Sequence, residues 1–352
     1  MIDPEKILYA SNLILSKCLN VFLYFFGGRR SGESVNRIVC VKLDEIGDMA
    51  NAVAVFAQLK SAFPQAKIDV LCKPFVKTLI EFDPNIDRII FDESELTRYD
   101  IWIELRGNWK TLFNSIWKTK KYRVDRGTIR FKQRGNQLHE SITNSRIIEP
   151  IFRDFCKKMD ESFLQIPPKL YTNQGHIDTA KLRLEELGVL GKFVVVHPAA
   201  RKKLRQWSPK KFEAIAVYLW EKHQIETVIM GTQDEVSILE EIKQQHSFVK
   251  SWVSNDSLLV FYEVVCNSEF FLGNESGPLQ IADLSGKPVI GLFGPGVKNV
   301  FYPRQNVQSK VIHNVLDCNP CDQVQCVQEV PCIELIATID VIHSIEEVLS
   351  TK

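Results

Sequence analysis

With 352 residues, the chain is long for one domain and sufficient for two, each able to bury its own core. Its apolar and charged fractions, 45% and 25%, are those of a globular protein, and a formal net charge of +1 argues against a uniformly basic nucleic-acid binder. Of nine cysteines, Cys18, Cys40, Cys72, Cys156 and Cys266 read as buried free thiols, and without a secretory cleavage pattern the expected compartment is a reducing cytosol.

Residues 7–26 are strongly apolar and are followed by Arg29 and Arg30. Asn12, Ser16 and Asn20 recur every four residues, so a helix here carries a narrow polar stripe along one side. A spanning helix would bury Lys17 near the bilayer centre, at about 2.5–3.5 kcal/mol. Residues 1–34 therefore predict an amphipathic helical extension, lying on a membrane surface or docked on the protein.

From Arg37 strands alternate with helices. The pattern predicts strands at 38–43, 67–72, 86–91 and 101–105, a helix at 49–63 stopped by Pro64, and helices at 76–82 and 142–158. A basic run of Lys118, Lys120, Lys121, Arg123, Arg126, Arg130, Lys132 and Arg134, opposed only by Asp125, reads either as a solvated face or as a contact for phosphate or anionic membrane. Pro167 and Pro168 precede the boundary, giving an N-terminal unit of 35–172. The rhythm restarts with a helix at 179–187 ended by Gly188. Strands follow at 193–196, 226–230, 270–272 and 288–293, and helices at 210–223, 236–245, 258–266 and 278–284. The second unit is 173–335, closed by a helix at 336–352. Two such series predict an α/β protein of two Rossmann-like domains, with ligands at the carboxyl ends of the strands, facing across a cleft. The chain has no GxGxxG in its first βα turn and no GxxxxGK[ST], which argues against a nicotinamide dehydrogenase and a P-loop ATPase.

Four turns carry the chemistry. In residues 43–48 Gly47 permits a sharp turn and Asp48 sits at a helix start, as a cap or as a base. A helix N-terminus should depress its pKa and so weaken it as a base. The turn from His197 to Pro209 holds Arg201, Lys202, Lys203 and Arg205, with Lys210 and Lys211 just beyond, and no acid among them. It reads as a diphosphate receptor or as solvated charge, with Ser208 as N-cap and Pro209 at the first helical position. In residues 273–280, Glu275, Ser276 and Gly277 suit a sugar or ribose, unless Ser276 is only a cap. Residues 291–296, with Gly294, permit close backbone approach or form a simple turn. Cys318, Cys321, Cys326 and Cys332 lie close enough in sequence for a structural zinc or iron, or remain free or disulfide-bonded.

The ordered set VKLDEIGDMANAVAVFAQLKSAFPQAKIDVL, DIWIELRG, VVVHPAARKKLRQWSPKKFEAIA and NESGPLQIADLSGKPVIGLFGPG resembles glycosyltransferase family nine, the ADP-heptose:lipopolysaccharide heptosyltransferases, over residues 37–335. The resemblance implies a GT-B architecture and an inverting transfer from a nucleotide-linked sugar, ADP-linked in the family, to a lipid-linked glycan acceptor at the inner membrane surface. No cofactor is implied for catalysis. The family's glycine-aspartate motif falls on Gly47 and Asp48, making Asp48 the base, with Asp44 and Arg106 on the acceptor side. Donor-side positions fall on Arg201, Lys203, Arg205, Glu275, Ser276, Gly277, Gln280 and Gly294. The chain departs from the family where Arg205 replaces the usual lysine, Glu275 an aspartate and Gln280 a histidine. Glu275 and Gln280 leave the sugar open and motivate a silent sugar-nucleotide-binding subunit as one alternative; a GT-B-type sugar-nucleotide epimerase is the other.

Overall fold

The buried apolar runs rich in β-branched residues become parallel strands, because both faces of each are covered. The structure, a computed structural model, describes residues 4–26, 34–127, 129, 137–156, 166–244, 246–253, 255–319, 321 and 323–350. Two compact units result, Met1–Tyr171 and Thr172–Lys352.

In the first unit, β1 (Arg37–Lys42), β2 (Lys67–Cys72), β3 (Arg88–Ile90), β4 (Tyr99–Arg106) and β5 (Thr119–Asp125) form one sheet in the order β3-β2-β1-β4-β5. In the second, β6 (Phe193–His197), β7 (Glu226–Gly231), β8 (Val249–Val253), β9 (Phe271–Asn274), β10 (Val289–Phe293) and β11 (Lys310–His313) are ordered β11-β10-β9-β6-β7-β8. All pairings are parallel. Each sheet reverses its strand order once, between β1 and β4 and between β6 and β9. In doubly wound folds such a reversal opens a crevice at the carboxyl strand ends.

Several expectations shift. The helix expected over 49–63 starts earlier and breaks in two, α2 (Ile46–Ala50) and α3 (Val53–Ala62), with Asn51 donating its side-chain amide back to the Gly47 carbonyl at 2.9 Å. Strands β5, β8 and β11 were not anticipated. Strand β5 runs through the basic cluster, where Arg123 and Arg126 are buried rather than solvated, which corrects that reading for both; Arg130, Lys132 and Arg134 lie outside the described residues. Helix α4 is Lys77–Ile80, α5 is Trp109–Lys118, and α6, Glu140–Phe155, contains Pro150. Cys18 is exposed, not buried.

The N-terminal stretch is one helix, α1 (Pro4–Phe26), packed on β5. Its polar stripe turns inward: Asn12 and Ser16 are buried around the Arg123 guanidinium, to which both are hydrogen-bonded. Asn20 exchanges two bonds with the Arg123 backbone, at 2.7 and 2.8 Å. Arg123 also donates Nε to Ser115 Oγ at 2.8 Å and lies 3.4 Å from Asp125 and 3.7 Å from Glu104. Among the described residues no helix is long and apolar enough to cross a membrane.

The second sheet is sandwiched. One face packs Val194, Val196, Ile229 and Leu272 against α8 (Pro209–His223) and α13 (Thr338–Ser350). The other packs Val195, Val228 and Phe271 with Ala180 and Leu184 of α7 (Gln174–Glu186) and Val260 and Val264 of α10 (Leu258–Cys266). Gly188, at φ +69°, ends α7 in the left-handed region that glycine adopts without a Cβ penalty.

Candidate active site

In the first unit, β1 and β4 end at the strand-order reversal. Lys42, the last residue of β1, is fully buried. Its Nζ lies 2.8 Å from Asp44 Oδ2 and 3.4 Å from Glu140 Oε1. Arg126 grips Glu140 with two parallel bonds of 2.5 and 2.7 Å, and Arg106, at the end of β4, sets Nε 3.4 Å from Asp44 Oδ1. Three acids and three cations thus surround the turn, counting Asp48.

Asp48 occupies the first turn of α2, whose N-cap is Glu45 without a side-chain cap bond. Its carboxyl is pushed up to about 6, first by burial and then by Asp44 and Glu140, against the pull of Lys42 and Arg126. The expected depression by the helix is overturned. A helix of five residues has little dipole to offer, and desolvation beside like charge exceeds it. A carboxylate titrating near 6 is ionised at neutral pH yet more basic than an ordinary one, as a general base requires. Gly47 lies within α2 and takes no left-handed conformation, so the sharp turn expected of it is a helix start.

In the second unit, the reversal lies between the ends of β6 and β9. Asn274, at the end of β9, pins the cationic loop at both ends. Its Nδ2 donates to the Pro198 carbonyl at 2.6 Å, and its Oδ1 accepts from the Trp207 backbone N–H at 3.1 Å. Arg205 ends a short 3-10 turn, Lys203–Arg205. Its Nη1 lies 3.6 Å from Glu275 Oε1 and its Nε donates to Gln323 at 2.5 Å. Arg201 and Lys203 are exposed on the same loop.

Glu275 is buried, and neither carboxylate oxygen makes a full hydrogen bond; the Ser276 hydroxyl is likewise buried and unsatisfied. Burial raises the Glu275 pKa, opposed by Arg205 and the Gly296 N–H. Ser276 stands at the N-cap of α11 (Gly277–Asp283) but its hydroxyl makes no cap bond, so capping does not account for it. Among the described residues the Ser276 hydroxyl thus lacks a partner and Glu275 is held only by the Arg205 ion pair and the Gly296 N–H, so hydrogen-bonding capacity is left free at this corner; a fully unpaired buried polar group costs about 1–3 kcal/mol. A Cβ on Gly296 would stand 1.9 Å from Glu275 Oε2, so any larger residue there must displace the Glu275 carboxylate.

Not every expected residue joins this group. Gly294 is close-packed, its Cβ position 3.1 Å from the Leu204 carbonyl and from Ile333. Gln280 donates its amide to the Phe301 carbonyl at 2.7 Å. Gly277 opens α11. Ser208 precedes α8, with Pro209 first in the helix, but makes no side-chain cap bond. Cys318, Cys321, Cys326 and Cys332 line one cavity of about 250 Å³ with Leu204 and Pro295, all as free thiols. Among the described residues no group of three or more His, Cys, Asp or Glu is placed to hold a metal ion. The expected thiolate set does not converge in this arrangement.

Sequence reading missed Lys42, Arg126, Glu140 and Gln323, and the bridging role of Asn274. The signal for Lys42 was available: a lysine inside an otherwise apolar strand must find a buried acid.

Two Rossmann-type units, one with a raised carboxylate at its reversal and the other with a cationic loop over a buried acid, make the GT-B architecture. The sequence profile described as "Glycosyltransferase family 9 (heptosyltransferase)" matches residues 96–330, and the chain belongs to that family. Asp48 precedes the matched span. The chain is 25% identical over 303 residues to lipooligosaccharide heptosyltransferase 2 of Campylobacter jejuni, covering 80% of this chain and 88% of that protein. It superposes on the crystal structure of the glycosyl transferase family 9 protein of Veillonella parvula with a TM-score of 0.75 at 16% identity, covering 92% of this chain and 100% of the other. For E. coli ADP-heptose LPS heptosyltransferase II the TM-score is 0.69 at 16% identity, covering 90% and 99%. The protein is a glycosyltransferase.

Proposed function

We propose that the chain transfers a heptose, or a closely related sugar, from an ADP-linked donor to a lipopolysaccharide-core acceptor with inversion at the anomeric carbon. The observation that carries this reading is the unsatisfied Glu275–Ser276 pair beside Arg205 at a strand-order reversal. A carboxylate and a hydroxyl in that position bind sugar or ribose hydroxyls, while Arg201, Lys203 and Arg205 hold the diphosphate. Asp48 takes the proton of the acceptor hydroxyl as its oxygen attacks the anomeric carbon from the face opposite the diphosphate. The anomeric C–O bond breaks, ADP leaves with the electron pair, and the cationic loop stabilises the charge it carries away. Asp44 and Arg106 flank the acceptor. Gln280, held to the Phe301 carbonyl, and Gly294, packed on Leu204 and Ile333, complete the donor side. An ADP-linked donor keeps the enzyme in the cytoplasm, and a lipid-linked acceptor brings it to the membrane periphery.

Incubation with ADP-heptose, with and without lipid acceptor, is the test. Acceptor-dependent ADP release supports transfer; acceptor-independent turnover would mean an epimerase or hydrolase, and binding without turnover a silent subunit. A structural zinc or iron at the four cysteines requires the thiols to close in from the cavity wall. Metal analysis of protein purified without chelator tests it: about one equivalent supports the ion, and less than about a tenth rules it out.

A further inference from the structure

Helix α1 presents an unusual reversal. Its polar positions Asn12, Ser16 and Asn20 face the protein, and apolar side chains stand exposed on the other side: Ile7, Ile14, Val21, Phe22 and Phe25. At 100° per residue the exposed set lies opposite the buried stripe, so the burial of Arg123 fixes which side of α1 meets solvent. Helix α5 touches α1 and also packs on β5. It exposes Trp109, Phe113 and Trp117, four residues apart and therefore on one side, with Trp117 77% exposed. An apolar surface of this kind on two touching helices marks an interaction site.

The charges at its edge select the occupant. Lys17 on α1, Lys110 on α5 and Lys120 on β5 are exposed, and no described exposed position on either helix is acidic. Two copies meeting through this face would bring these lysines together. An anionic bilayer instead neutralises them, while tryptophan and phenylalanine settle at the headgroup level.

We infer that the outer sides of α1 and α5 form one membrane-docking surface for anionic phospholipid, held in register by Arg123. The inference rests on the transferase reading for its purpose, since it brings the enzyme to a lipid-linked acceptor, but not for its geometry. The full chain should co-float with vesicles containing about 30% phosphatidylglycerol and bind pure phosphatidylcholine at least ~10-fold more weakly. Phe113→Ser with Trp117→Ser, and separately Lys17→Glu with Lys110→Glu, should each reduce binding to the anionic vesicles ~10-fold or more. Both pairs replace exposed side chains, and an unchanged thermal melt confirms folding. Wild-type protein that ignores anionic vesicles, variants that bind them as wild type does, or a wild-type dimer dispersed by the serine pair would each overturn the inference. Turnover separates the two readings. The serine pair should keep wild-type rates on a water-soluble deacylated acceptor and lose them on acceptor embedded in vesicles. Vesicle binding by a wild-type protein that transfers to neither acceptor would uphold docking and remove the transferase.

Discussion

In the proposed mechanism the proton transfer in the first unit falls to Asp48. A base with a pKa near 6 gives kcat/KM that falls with unit slope below that pH, and Asp48→Asn should lower kcat by at least ~10²-fold with donor affinity retained. Near wild-type turnover would remove Asp48 as base. The same shift has a stability sign. A carboxyl raised in the folded state binds its proton more tightly there than in the unfolded chain, so stability falls as pH rises from the unfolded value of 3.8 through about 6. Asp48→Asn should therefore melt above wild type at pH 8, the gap closing below pH 4. Thermal melts across that range decide it, and a variant less stable at pH 8 would contradict the assignment. Glu140, whose Oε1 lies 3.4 Å from Lys42 Nζ, is one of the charges that raise Asp48, so Glu140→Gln should move the acidic limb of the rate profile to lower pH; a limb that stays put would mean that Glu140 does not tune the base. In the second unit Gly296→Ala puts a methyl where the Glu275 carboxylate lies. Donor KM should rise ~10-fold or more with the melt little changed, and an unchanged KM would take Glu275 out of the donor site.

Element by element, the strands with a clear apolar run were legible in the sequence, and β5, β8 and β11 were not. Residues 38–42, 193–196 and 289–293 are short β-branched runs bounded by turns, legible from local pattern alone. Strand β5 reads TKKYRVD, and nothing local says that its arginine is buried. The groups that make burial tolerable, Glu104, Asp125, Asn12 and Ser16, come from β4, its own end and a helix more than a hundred residues away. The direction of α1 was hidden for the same reason: an inward polar stripe makes sense only once Arg123 is known to lie beneath it. Burial pushes the Glu104 carboxyl up against the pull of Arg123. Arg123→Met should thus leave uncompensated buried acid and cost about 3–5 kcal/mol near neutral pH. The loss should shrink on acidification, as Glu104 takes up a proton. Denaturant melts at two pH values check it, and a pH-independent loss would make Arg123 a packing residue only.

For the molecule as a whole, duplication of the βα rhythm made two units legible, and the ordered turns made the family legible. The pairing of Asn274 with the ends of the cationic loop, and the acid–cation cluster of Lys42, Glu140 and Arg126, were not, because each joins segments distant in sequence. Each unit nevertheless carries its own reversal and its own site residues. Among the described residues, the core clusters of the second sheet are drawn from 172–352 on both faces, with α13 closing one face. A core of that extent supports independent folding. Arg205, Glu275, Ser276 and the loop pinned by Asn274 all belong to the same unit. A fragment of residues 172–352 should therefore unfold in a single cooperative transition and bind ADP within ~10-fold of the full chain, while transferring nothing, since Asp48 is absent. Calorimetric titration with ADP checks this. A fragment that melts cooperatively yet binds ADP more than ~100-fold more weakly would place essential nucleotide contacts in residues 1–171 and break the division of labour between the two reversals.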